Sequence, residues 1–433
     1  MVTIIKDIKL AMDRLSCKNK IKLKKSIIFA ALVVQLFISP VFAASATDSI
    51  SNELSSSPDD VMQLLSTLEK ENNSLISKTP LSSLIKKIEK EKKRQKEKYG
   101  VNWGMNYIPL LEYSSSGYPH VNASGSAYQF FGSYKPKPFQ QLKTTIGLKV
   151  EGNHRYSDIS PGHFAEEINS VILTSSGYKP YPLAVTELWI QQSLIPNVLA
   201  YRLGKIDLTS IMNSYAFDSR QFYFLSNVFT KHPATAVPSK SPGAVLGIAL
   251  GAHLYTALGA VGLDGEDTTS GFSSFDRGKF FTAIEIGYRD IIKNPQSDNY
   301  HVFFWHVPDQ PEKQQLSDQG ISVVLQKNLF NKFIPFVKLD WSKGRVATFN
   351  KLFITGFGLQ HPFYGSIGLW GVGMGYAQLA EDATNQAILE SFYRVQLTPN
   401  SQLTPNIQFI KTLPINGHQP IATVWNLRYR IAV

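Results

Sequence analysis

From Tyr99 onward, hydrophobic and polar positions alternate with a period of two. The alternation is cleanest at 425–433, where Trp425, Leu427, Tyr429, Ile431 and Val433 share one side and Asn426, Arg428, Arg430 and Ala432 the other. Successive side chains of a strand point to opposite faces, so this segment predicts a strand with one apolar and one charged face. The pattern recurs: Ile146, Leu148 and Val150 oppose Gly147, Lys149 and Glu151, and Leu199, Tyr201 and Leu203 oppose Arg202 and Gly204. Ile284, Ile286 and Tyr288 oppose Glu285 and Arg289; Val337, Leu339 and Trp341 oppose Lys338 and Asp340; Tyr393, Val395 and Leu397 oppose Arg394 and Gln396. In a transmembrane barrel the apolar face meets lipid and the polar face a wet lumen, and closure pairs every backbone group without water. The fold class expected is all-β, a transmembrane antiparallel β-barrel. A soluble periplasmic β-sandwich that binds glycans shares part of the pattern.

Two stretches invite other readings. Gly243 to Leu263 is long and apolar enough to suggest a membrane helix, but His253, Tyr255 and Thr256 lie at its middle and glycines run through it. Two strands turning near Tyr255 fit better. Gly371-Val372-Gly373-Met374-Gly375 superficially suggests a dinucleotide loop, yet lacks the last glycine of GxGxxG and reads as a strand with a glycine face.

Ahead of the barrel the period is helical. Ser57-Pro58-Asp59-Asp60 resembles a helix start, and Val61, Leu64, Leu65 and Leu68 follow at helical spacing. Thr79-Pro80 repeats the signal before Leu81, Leu84, Ile85 and Ile88, and a basic run then ends at Lys98. That run reads as a solvated helix face with i,i+4 pairs such as Glu89–Lys93, in a short α-helical periplasmic extension that could meet peptidoglycan. Further upstream, the lysines at 18–25, the apolar Ile27–Ile38 and Pro40-Val41-Phe42-Ala43 predict a secretory signal cleaved after Ala43. The expected organisation is a signal at 1–43, a flexible leader and helical extension at 44–98, and an outer-membrane barrel at 99–433.

Composition then narrows the chemistry. The single cysteine, Cys17, lies inside the signal, so the exported chain has no thiol for a disulfide, metal site or nucleophile. The net charge of +11 shrinks to +5 once the +6 of residues 1–43 is removed, which weakens a nucleic-acid reading. No HExxH, GxSxG, phosphate-binding or EF-hand loop occurs, and His301 and His306 fall on opposite faces of a strand, so neither catalysis, a metal nor a cofactor is expected. What remains is a set of charged and aromatic side chains on lumen faces. By parity these are Lys149, Glu151, Arg155, Glu187, Trp189, Arg202, Glu390, Arg394, Arg428 and Arg430. Arginine and glutamate exchange hydrogen bonds with sugar hydroxyls, and aromatic rings pack on the apolar face of a pyranose.

Seven segments resemble the OprB-type carbohydrate-selective porins: LKVEGNHRYSDISP at 148–161, ELWIQQSLIPNVLAYRLGKID at 187–207, RQFYFLSNVF within Phe217–Phe229, PGAVLG at 242–247, YHVFFWHVPD at 300–309, FGLQHPFYGSIGLWGVGMGYA at 357–377 and ESFYRVQLTPNSQLTPNIQFI at 390–410. The resemblance implies a sixteen-stranded barrel admitting glucose-like sugars by passive diffusion through a constriction lined by Arg and Glu. Glu151, Arg155, Arg202 and Arg394 match its charged positions. Residues 100–433 allow about 21 residues per strand and connection, compatible with strands of about ten. Expected partners are small sugars, outer-membrane lipid and lipopolysaccharide, and the outer-membrane assembly machinery. A non-conducting structural barrel with a cell-wall-binding extension is the competing reading.

Overall fold

The computed structural model describes residues 54, 57–69, 73–80, 82–116, 120–136, 143–289, 296–380, 385–413 and 421–433. All belong to the compact unit Asp48–Val433. The expected signal and most of the leader lie outside the described residues.

Sixteen antiparallel strands form one closed barrel in which each strand pairs with its sequence neighbours and the last with the first. They are β1 (Val101–Ser116), β2 (Asn122–Tyr134), β3 (Thr145–Arg155), β4 (Tyr181–Ile195), β5 (Leu199–Ile206), β6 (Ser241–Ala249), β7 (Leu254–Gly262) and β8 (Phe280–Arg289). Then come β9 (Asn299–Val307), β10 (Asp318–Gln326), β11 (Phe333–Ser342), β12 (Phe349–Phe363), β13 (Ser366–Leu379), β14 (Asn385–Thr398), β15 (Ser401–Leu413) and β16 (Ala422–Ala432). The seam between β1 and β16 sets Tyr107 opposite Ile431 and Tyr113 opposite Trp425. Closure leaves no unpaired edge.

The barrel is apolar on the outside. Leu188, Ile286, Trp341, Met374 and Trp425 each expose about half of their surface, while their strand neighbours turn inward and are buried. Hydrophobic side chains facing outward in this density are stable against lipid and not against water. This inverted arrangement excludes the soluble β-sandwich. The 243–263 stretch is the hairpin β6–β7, turning at 250–253, so Tyr255 already lies in β7 opposite Ala249. Gly371, Gly373 and Gly375 line the inner side of β13, and Trp370, Met374 and Tyr376 its outer side.

The longest connections share one rim. The connections at 196–198, 364–365 and 399–400 are tight turns at the opposite rim, whereas 156–180, 207–240 and 263–279 are long. The connection 207–240 folds into the lumen, where residues 210–230 are all buried. Two helices precede β1: α1 (Val61–Leu68) and α2 (Ser82–Tyr99). The helix start expected at Ser57 is one turn later, because Ser57–Asp60 makes its own turn and Asp60 is the N-cap, accepting from the Met62 amide at 2.9 Å. Helix α1 is not outside the barrel. Val61, Leu64 and Leu65 are fully buried, and Leu68 packs so close to Gly104 of β1 that a side chain there would collide with it. Helix α2 stays outside with no buried residue, fixed to the start of β1 by Gln95 accepting from Trp103 Nε1 at 2.9 Å. On its surface Lys93 pairs with Glu97, and not with Glu89, while Arg94 pairs with Glu91.

Candidate functional site in the barrel lumen

The lumen is narrowed by two insertions that meet. One is the connection 207–240. Asp207 starts it by accepting from the Thr209 amide at 3.0 Å, and its aromatics then pack on the wall of β11–β14. Phe217 lies 5.3 Å from Phe336, and Phe224 meets Phe392 edge-on at 5.0 Å. Gly373 leaves the room that Phe229 fills. The other insertion is α1 with its preceding turn. Asp59 Oδ1 accepts from Ser219 Oγ at 2.5 Å and from Gln221 Nε2 at 3.1 Å, tying the two together.

The charged residues selected by strand parity divide into two groups and one outlier. The first group, on β3–β5, surrounds the turn before α1. Lys149 Nζ lies 3.7 Å from Glu151 and 3.4 Å from Glu187, and donates to the Asp59 carbonyl at 3.2 Å. Glu151 also faces Lys240 at 3.1 Å and Arg220 at 3.8 Å, so one carboxylate is shared by three cations. Trp189 donates to Glu187 at 3.3 Å and offers its ring to Arg202, whose guanidinium carbon stands 3.9 Å from the ring centroid. Arg202 Nη1 reaches Asp60 Oδ2 at 2.5 Å, and its Nε donates to Gln191 at 3.0 Å. Arg202 and Asp60 are both wholly buried.

The second group, on β14 and β16, holds the connection 207–240. Glu390 accepts from the Leu225 and Ser226 amides at 2.6 and 3.1 Å and from Asn406 at 2.6 Å, so both oxygens are committed to positioning. Arg428 donates to the Arg220 and Tyr223 carbonyls, and Arg394 to the Phe222 carbonyl at 3.3 Å. Arg430 lies 4.4 Å over the Phe222 ring and donates to Asn106 at 2.7 Å. These arginines face carbonyls and rings. Among the described residues, none of Arg394, Arg428 and Arg430 forms an ion pair with a carboxylate, and the Nε atoms of Arg428 and Arg430 have no hydrogen-bond partner.

Arg155 is the outlier. It has the inward parity but sits at the far end of β3, exposed, donating to the Asp158 carbonyl at 3.2 Å within the loop that follows. The structure does not bring it to the narrowing.

Sequence parity missed the residues of the inserted segments, namely Asp59, Asp60, Asp218, Arg220, His232 and Lys240. Burial raises the carboxyl of Asp59, opposed by Lys149 and Arg220. Burial pushes Asp218 up to about 8, with Lys338 opposing. His232, 3.3 Å from Asp218, is driven well below the ordinary histidine range by burial and by Lys338. Loop residues of this kind carry no period, and the aromatic-rich, non-alternating run at 215–229 was the available signal.

The chain matches no protein-family model and no curated protein. Solved structures do resemble it. A high-pH structure of Pseudomonas putida OprB superposes with a TM-score of 0.64 at 12% identity, covering 79% of this chain and 96% of that one. A low-pH structure of the same protein gives 0.50 at 11% identity, covering 83% and 99%. The chain therefore has the OprB-type porin fold.

Proposed function

Starting from that fold, we propose that the protein is an outer-membrane porin for facilitated, passive diffusion of small carbohydrates. The observation that carries this reading is a closed barrel, apolar outside, whose lumen is lined by charged groups and narrowed by an inward-folded connection. Such a wall recognises polyhydroxyl solutes by hydrogen bonds while keeping release fast, as conduction demands. Arg394 is the selected lumen cation that keeps partial exposure beside an aromatic ring, Tyr223 at 5.2 Å, and is the residue proposed to touch sugar. Lys149, Glu151, Glu187, Trp189 and Arg202 shape the opposite wall. The reading makes the protein a channel and not an enzyme, exported by a cleaved signal and folded by the outer-membrane assembly machinery among lipid and lipopolysaccharide. Helix α2, with its exposed lysines, would then face peptidoglycan.

Planar-bilayer conductance with and without added sugars, together with liposome swelling across a panel of sugars, tests it. Ion current reduced by sugar is the expected result, and no current at any salt concentration overturns the proposal. One observation favours a second reading: with α1 in the lumen the barrel is occupied, as a non-conducting structural barrel would be. Swelling that stays at the background rate even after α1 is deleted would favour it.

A further inference from the structure

Four of the lumen-facing arginines, Arg202, Arg394, Arg428 and Arg430, have no ion pair with a carboxylate of the wall that carries them. Glu390, their carboxylate neighbour on β14, is consumed by two backbone amides and Asn406. Arg394, Arg428 and Arg430 have no ion pair among the described residues, and the fourth arginine, Arg202, has one carboxylate partner, Asp60. Asp60 does not belong to the wall. It belongs to the N-terminal insertion, and it divides its two oxygens: Oδ1 caps α1 and Oδ2 takes Arg202. Asp59, next to it, is the insertion's second carboxyl in the same space.

An unpaired set of buried guanidinium groups is costly unless an anion arrives. Arg202 shows what that anion looks like. Its planar fork is held flat by the Trp189 ring and by Gln191, and the atom seated on it is a carboxylate oxygen. A guanidinium held flat and open to a carboxylate is also what recognition of a sugar acid requires.

We propose that the lumen binds acidic monosaccharides, sugars bearing a carboxylate, and that Asp60 occupies the carboxylate position as an internal stand-in. The inference rests on the pore reading above and names its substrate class. Displacement of the turn 57–60 frees Arg202, which stays seated on the Trp189 ring. The entering sugar acid then exchanges between that site and the cations of β14 and β16 across the lumen.

The test uses the full exported chain in planar bilayers, with potassium glucuronate, glucose and potassium acetate as probes, and the variants Asp60→Asn and Arg202→Gln. Glucuronate is expected to reduce the current at about tenfold lower concentration than glucose, a factor equivalent to about 1.4 kcal/mol. Asp60→Asn should sharpen that block and Arg202→Gln should abolish the preference. Equal block by glucose and glucuronate, or block by acetate matching glucuronate, overturns the proposal. Tryptophan fluorescence titrated with glucuronate, compared with Trp189→Phe, gives a readout independent of current. Saturable quenching lost in Trp189→Phe, in a barrel that carries no current, keeps the acidic-sugar site and sinks the pore; neither quenching nor current sinks both.

Discussion

Arg202 lies flat on Trp189, 3.9 Å from the ring centroid, and in that position meets the Asp60 carboxylate at 2.5 Å. The ring limits the guanidinium to one plane, and the ion pair then holds the turn before α1 in the lumen. A buried pair broken on one side leaves a bare charge, which typically costs ~3–5 kcal/mol. Asp60→Ala should therefore release α1, visible as higher conductance and faster proteolysis between residues 57 and 69. Trp189→Leu should do the same more weakly, since the cation–π contact accounts for ~2 kcal/mol when desolvated.

The apolar side of α1 makes a separate prediction. Leu64 is fully buried, and Leu64→Ala should weaken the seating of α1 by ~2–5 kcal/mol. The barrel strands are held by their own closed ladder of strand pairs. Heat-modified electrophoretic mobility should thus stay that of a folded barrel while mean current rises.

Lys149 bridges Glu151 and Glu187 within the wall. Lys149→Met leaves Glu187 without a cation, whereas Glu151 keeps Lys240 and Arg220. The variant should unfold at lower temperature by calorimetry. Adding Glu187→Gln should recover most of the loss, because the uncompensated charge and not the missing lysine causes it.

Asp218 supplies a pH dependence with a definite sign. Its pKa of about 8 in the inserted connection exceeds the ordinary ~3.9 of an exposed aspartate. The folded connection thus binds more protons than the opened one between these values, and its stability falls as pH rises through that window. The contribution is complete below about 4 and gone above about 8. Opening free energies from hydrogen exchange over 208–230, corrected for intrinsic rates, should decline from pH 5 to 8 and then level. Asp218→Asn should flatten the profile.

Two arginines of equal parity should behave differently. Arg394→Ala, beside Tyr223, should weaken sugar block of the current. Arg155→Ala, exposed at the far end of β3, should leave block unchanged.

These contrasts show which information the sequence carried. The strand faces were legible because lipid and lumen impose a strict alternation, and Trp425 to Ile431 read out their sides correctly. Height along the barrel was not, since parity assigns Arg155 and Lys149 the same face although one lies at the rim and the other in the ion-pair network. Helix α1 was legible as a helix through Val61, Leu64, Leu65 and Leu68. Its spacing says that one face is buried but not against what, so its place inside the barrel was hidden. The connection 207–240 was hidden for the complementary reason. Its aromatics pack on the inner wall at Phe336 and Phe392 with no regular period to announce it.

The seam bears on the timing of assembly. Tyr107 and Ile431 pair across almost the whole strand-forming chain, whereas every other strand pair is between sequence neighbours. The entropy of bringing chain ends together grows with the length between them, so β1–β16 pairing is the costliest to form early and belongs to the end of folding. The ties of Asp59 and Asp60 to Ser219, Gln221 and Arg202 involve no residue of the seam. Those contacts can form on a still-open sheet. Part of the lumen's contents can then be joined before the cylinder exists, while the hold of Arg428 on the Arg220 and Tyr223 carbonyls waits for β16.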